Sequence, residues 1–111
     1  MPYLPPNYTY HDCINIDPTT VGNNILIVEI KDDAGNIVDV FVYNRIADTT
    51  VYCAEITTPA TEGVYAMDYK ILDNYGSLVA EMFDDYLVVS NTESSIALLQ
   101  QILNWLKTRK A

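Results

Sequence analysis

Two stretches of alternating residues, each broken by a turn of the same chemistry, commit most of this chain to antiparallel β structure. In Ile25–Lys31, Leu26, Val28 and Ile30 fall on one face of an extended strand, and Glu29 and Lys31 on the other. Asp32-Asp33-Ala34-Gly35-Asn36 then supplies turn chemistry, with Gly35 and Asn36 tolerant of positive φ. Ile37–Tyr43 resumes the alternation, with Val38, Val40 and Val42 opposite Asp39 and Phe41. Period two around a Gly-Asn turn predicts a hairpin. Val64–Leu72 repeats the pattern, setting Tyr65, Met67, Tyr69 and Ile71 against Ala66, Asp68 and Lys70. Asp73-Asn74-Tyr75-Gly76-Ser77 again places aspartate three residues before glycine, and leads into Leu78–Phe83 and then Tyr86–Val89. Thr49–Ile56, rich in β-branched and aromatic residues, adds a further strand. Six or seven short strands at this spacing predict an antiparallel all-β sandwich over residues 21–89.

The two ends differ from this middle. Residues 1–20 hold four of the five prolines, Pro2, Pro5, Pro6 and Pro18, which disfavour helix and predict an extended N-terminal arm. Tyr3, Leu4, Tyr8 and Tyr10 give that arm anchors, so it is expected to lie against this domain or a neighbour. Residues 90–111 predict one α-helix. Ser90 and Glu93 fit a capping box, and Ile96, Leu99, Leu103 and Leu106 recur at helical spacing. Leu98, Ile102 and Trp105 form a second apolar stripe, wider in total than a two-stranded coiled-coil seam. One stripe suits the chain's own domain and leaves the other for a partner. Tyr3, Leu4, Tyr8, Tyr10, Ile96, Leu99, Ile102, Leu103, Trp105 and Leu106 are therefore the expected partner-binding residues.

Charge narrows the partners. The chain is acidic, with a net charge of −9, yet Lys107, Arg109 and Lys110 cluster at its end. An acidic body repels phosphate, so neither nucleic acid nor an anionic membrane surface is an expected partner. The basic end suits a helix C-terminus, or an acidic neighbour such as another copy of the body. No apolar run is long enough to span a membrane, and the first residues lack the basic and apolar regions of a secretory signal. A product made and kept in the cytosol would hold Cys13 and Cys53 as reduced, buried thiols.

Catalytic constellations are missing from the pattern. His11 is the sole histidine and sits in the proline-rich arm; His11-Asp12-Cys13 sets potential ligands side by side, but neighbours on an extended chain point alternately apart. No phosphate-binding glycine loop and no Cys-x-x-Cys or His-Glu-x-x-His spacing occurs. The acidic turns at Asp32, Asp33 and Asn36, at Asp73 and Asn74, and at Asp84 and Asp85 read more simply as turn chemistry than as calcium ligands. No enzyme activity, cofactor or metal is expected.

Gly63-Val64-Tyr65-Ala66-Met67-Asp68-Tyr69, the turn Asp73–Ser77 and Val88-Val89 resemble the last two strands of bacterial immunoglobulin-like domains. Ile27–Val42 resembles their second and third strands, and together these stretches cover about 60 residues. The resemblance implies an immunoglobulin-like sandwich and a non-enzymatic role. Such domains serve adhesins, accessory modules of enzymes and phage virions alike. A single copy without an export signal, carrying an arm and a helix, looks most like a bacteriophage virion protein: a capsid decoration, neck, tail or fibre-anchoring subunit that oligomerises with other virion proteins. Two other classes fit the same residues. One is a carbohydrate-binding module that stacks sugars on Tyr43, Tyr52, Tyr75 or Tyr86; the other is a small acidic inhibitor or adaptor.

Overall fold

A computed structural model describes residues 4–90 and 101–108. The elements run β1 (Thr9–Asn15), α1 (Pro18–Val21), β2 (Ile25–Lys31), β3 (Ile37–Arg45), β4 (Val51–Thr57), β5 (Gly63–Leu72) and β6 (Leu78–Val89), followed by α2 over 101–108. The six strands form one antiparallel sheet in the order β1-β4-β3-β2-β5-β6. The sheet is curled. Side chains from strands far apart in that order meet on its concave face, where Asp12 of β1 touches both Tyr43 of β3 and Tyr69 of β5.

Alternation explains which face is which. Leu26, Val28 and Ile30 of β2 and Tyr65, Met67, Tyr69 and Ile71 of β5 are buried in a core shared with Tyr43, Ile56 and Leu87. The convex face of β2 and β5 carries charge. Lys70 lies 2.7 Å from Glu29, Lys31 lies 3.0 Å from Asp68, and two longer contacts close the square. Burial works to raise the Asp68 carboxyl, but bonding and charge from Lys31 and then Lys70 outweigh it and hold the group below its ordinary value.

The hairpin turns are two copies of one device. Asp32 Oδ1 accepts from the backbone N–H groups of Ala34 and Asn36, and Asp73 Oδ1 accepts from those of Tyr75 and Ser77. Gly35 and Gly76 take φ of 85° and 81° at equivalent positions, where an L side chain is disfavoured. One oxygen of each aspartate is thus engaged in holding backbone, which accounts for these acids as turn chemistry.

Four features differ from the expectations above. Residues 9–15, within the expected arm, form β1 and pair along their whole length with β4. Pro18 opens a one-turn helix, because proline suits the first helical position and Asp17 caps the turn through Thr19. Leu78–Val89 is a single strand running through Asp84 and Asp85, whose exposed side chains need no turn on an edge strand. The fourth corrects the thiol assignment: Cys13 and Cys53 are joined in a disulfide across β1 and β4.

Candidate functional site

The N-terminal segment is woven into the domain. Leu4 N–H donates to Val88 O at 3.0 Å, Ser90 N–H donates to Leu4 O at 2.9 Å, and Leu4 makes a parallel bridge to Val89. Thr58 secures the next residues: its hydroxyl donates to Pro5 O and accepts from Tyr8 N–H. Leu4 and Tyr10 pack against the core, while Tyr8 is exposed and stacks on Tyr10 at 6.4 Å. Leu103 is also buried, at 1% exposure, whereas Ile102 and Trp105 remain exposed and Leu106 is half-buried. Of the residues expected to bind a partner, Leu4, Tyr10 and Leu103 therefore place apolar surface inside their own chain. Tyr3, Ile96 and Leu99, like the Glu93 half of the capping box, lie outside the described residues.

A polar cluster sits where the sheet curls on itself. Asp12, flanked in sequence by exposed His11 and Cys13, points inward and accepts hydrogen bonds from the hydroxyls of Tyr43 and Tyr69, the latter at 2.9 Å. Tyr69 also stacks on Phe83 of β6, with ring centroids 4.4 Å apart. Burial, and then the bond to Asp12, push the Tyr43 hydroxyl far above its ordinary pKa; burial raises Tyr69 as well. Tyr10 is pushed up to about 12 by burial and then by the charges of Asp12 and Asp85. A cavity of about 440 Å³ opens beside this cluster, lined by Tyr10, Asp12, Tyr69, Asp85 and Lys107. Two tyrosine donors on one carboxylate satisfy this half-buried acid.

The convex face offers a different kind of site. Ile37, Val38, Val40 and Val42 of β3 are between 45% and 53% exposed. Val38 also lines a cleft of about 720 Å³ with Val64, Ala66, Tyr86, Ile102 and Leu106, so this apolar strand runs towards the exposed side of α2. The strand has an open edge as well. Only Asn44 and Arg45 of β3 pair with β4, which leaves Ile37–Tyr43 bonded to β2 alone among the described residues. Val40 N–H is held by the carboxylate of its neighbour Asp39, 2.9 Å away. The alternation of β3 is visible in the sequence, whereas the departure of β4 appears only in the three-dimensional pairing.

The tyrosines considered for stacking sugars divide. Tyr43 and Tyr52 are core residues at 4% and 6% exposure, Tyr86 is half-buried, and Tyr75 stands alone on its turn. Among the described residues no group of three or more potential ligands is placed to hold a metal ion, and no helix is long and apolar enough to cross a membrane. No protein-family model, curated protein or solved structure matches this chain.

Proposed function

We propose that this protein is a non-enzymatic structural subunit that works by protein–protein contact, and that its assembly is a bacteriophage virion. The observation that carries the first part is the exposed apolar strand Ile37–Val42, continued by the cleft at Ile102 and Leu106. Single exposed apolar residues are ordinary on a soluble protein; a contiguous row beside a strand edge left unpaired among the described residues marks a surface that suits another chain. The exposed Tyr8 and Trp105 enlarge the area available to partners.

The second part rests on the resemblance to immunoglobulin-like domains of phage particles. Two features support the finer reading of the fold as an immunoglobulin-like sandwich: the paired Asp-x-x-Gly hairpins, and the way β3 passes from a pairing with β2 to one with β4. In this reading the partners are other virion proteins, and the chain is made in the host cytoplasm and leaves with the particle.

Mass spectrometry of density-purified particles from a phage that encodes this chain tests the assignment. The chain is expected among the proteins that stay with the particle through high-salt washing. Its presence in the lysate but not in washed particles contradicts the virion role.

A further inference from the structure

Among the described strands, β1 alone lacks a fully buried residue. Its inward residues Tyr10, Asp12 and Ile14 are half-buried, and its outward residues Thr9, His11, Cys13 and Asn15 are exposed. It ends the strand order, and its ladder runs to β4 alone. β4, by contrast, sinks Tyr52, Ala54 and Ile56 into the core. Pairing β1 therefore removes little apolar surface from water, and such a strand opens at low cost unless something else holds it. Beyond the ladder, two features do so: the hydroxyl bonds from Tyr43 and Tyr69 to Asp12, and the Cys13–Cys53 disulfide.

The disulfide lies on the solvent side of the ladder, with Cys13 exposed and Cys53 half-buried, so a small thiol reaches it without the core opening. The segment is also secured on both sides of β1. Before it, Leu4 bonds to Val88 and Ser90, and Thr58 holds Pro5 and Tyr8. After it, Asp17 caps α1 and Val21 is buried. A released β1 thus stays tethered at each end as a flap over the sheet.

We propose that the Cys13–Cys53 bond is a redox-controlled latch on this flap. A dithiol in solution opens it in two exchanges. Its first thiolate attacks Cys13 Sγ, forming a mixed disulfide and expelling Cys53 as thiolate, which takes a proton from water. The second thiol of the reagent then displaces Cys13, leaving two protein thiols and one oxidised reagent. A small-molecule disulfide closes the latch by the reverse route. With the bond open, Thr9–Asn15 exchanges between paired and released states while β2, β5 and β6 stay folded. Release frees the β4 edge and hands the Tyr43 and Tyr69 hydroxyls from Asp12 to water. A reducing cytosol keeps the latch open and an oxidising medium shuts it.

Amide hydrogen exchange of the full chain, oxidised and after treatment with dithiothreitol, tests the proposal. Reduction is expected to speed exchange of the ladder amides in Thr9–Asn15 about a hundredfold, the scale of the lost cross-link. Amides of β2 and β5 are expected to keep their rates, and glutathione disulfide to restore the slow pattern. Cys13→Ser/Cys53→Ser is expected to show the reduced pattern with or without dithiothreitol. Equal protection of β1 in both forms overturns the proposal, because the strand would then need no latch. Acceleration of β2 and β5 along with β1 also overturns it, since the bond would then staple the whole domain. So does a disulfide that dithiothreitol cleaves only in urea.

Discussion

Cys13 of β1 lies directly across from Cys53 of β4, their Cα atoms 4.1 Å apart and their sulfurs bonded. The bond sits on the outward face of the pair, between Asn15–Val51 on one side and His11–Glu55 on the other. It ties the first strand to a partner 40 residues away and fixes the register in which Tyr10, Asp12 and Ile14 face the core. Cross-linking a loop of that length restricts the unfolded chain by about 3–4 kcal/mol. The double variant Cys13→Ser/Cys53→Ser is expected to lose about that much stability in urea unfolding. A thiol reductant should lower the wild-type midpoint to that of the variant and leave the variant unmoved. Identical midpoints for oxidised and reduced wild type contradict the assignment.

Asp12 is the second anchor of β1. Removing its carboxylate leaves the hydroxyls of Tyr43 and Tyr69 without their acceptor in the interior. Asp12→Ala is expected to cost about 2–4 kcal/mol, from two lost charge-assisted bonds and two stranded donors. Tyr43→Phe, which leaves Asp12 its bond from Tyr69, should cost less. Chemical denaturation of the three proteins checks the order; an Asp12→Ala variant as stable as wild type contradicts it.

The same cluster sets the alkaline limit of the fold. Burial raises Tyr10, Tyr43 and Tyr69, with Tyr10 at about 12, against an ordinary tyrosine value of 10.0. In the unfolded chain these groups lose their protons near 10, while in the native state they keep them. The native state therefore binds more protons above that pH, and stability falls as pH rises from about 10 through the folded values. Absorbance titration of tyrosinate is expected to show a delayed fraction that ionises together with loss of the native circular dichroism. Titration of all nine tyrosines as one ordinary group, with the fold intact, contradicts this.

The two hairpin turns should respond alike to substitution. Gly35 and Gly76 hold φ of 85° and 81°, and a Cβ at either meets nothing within 4 Å. Alanine there is opposed by backbone conformation alone, at about 1–2 kcal/mol per site. Asp32→Ala and Asp73→Ala each remove an acceptor from two backbone N–H groups and are expected to cost about 1–2 kcal/mol. Thermal unfolding of the four variants tests the equivalence. A large effect at one turn with none at the other contradicts it.

How far the sequence shows all this depends on the element. β2 and β5 are legible because each buries one face: Val28 and Ile30 alternate with Glu29 and Lys31 in β2, and Tyr65, Met67, Tyr69 and Ile71 are buried at every second position of β5. β1 is hidden because Asp12 stands on its buried face, and only the hydroxyls of Tyr43 and Tyr69, 31 and 57 residues away, make that tolerable. With β1 hidden in this way, Cys13 has no visible strand partner in the sequence, so its bond to Cys53 appears only once β1 is laid against β4. The acids Asp84 and Asp85 read as a turn because an edge strand can send charge to solvent without breaking its ladder to β5. The open edge of β3 depends on where β4 leaves it, a tertiary event that the alternation of Ile37–Tyr43 does not encode.

Amide hydrogen exchange at single-residue resolution, in dilute protein, tests the exposed edge of β3 most directly. Phe41 N–H, directed at β2, should be protected. Val42 N–H, on the edge that β4 leaves, should exchange rapidly. Protection of Val42 equal to that of Phe41 in dilute protein contradicts the account: the edge of β3 would then be covered within the chain itself and could not offer a surface to a partner.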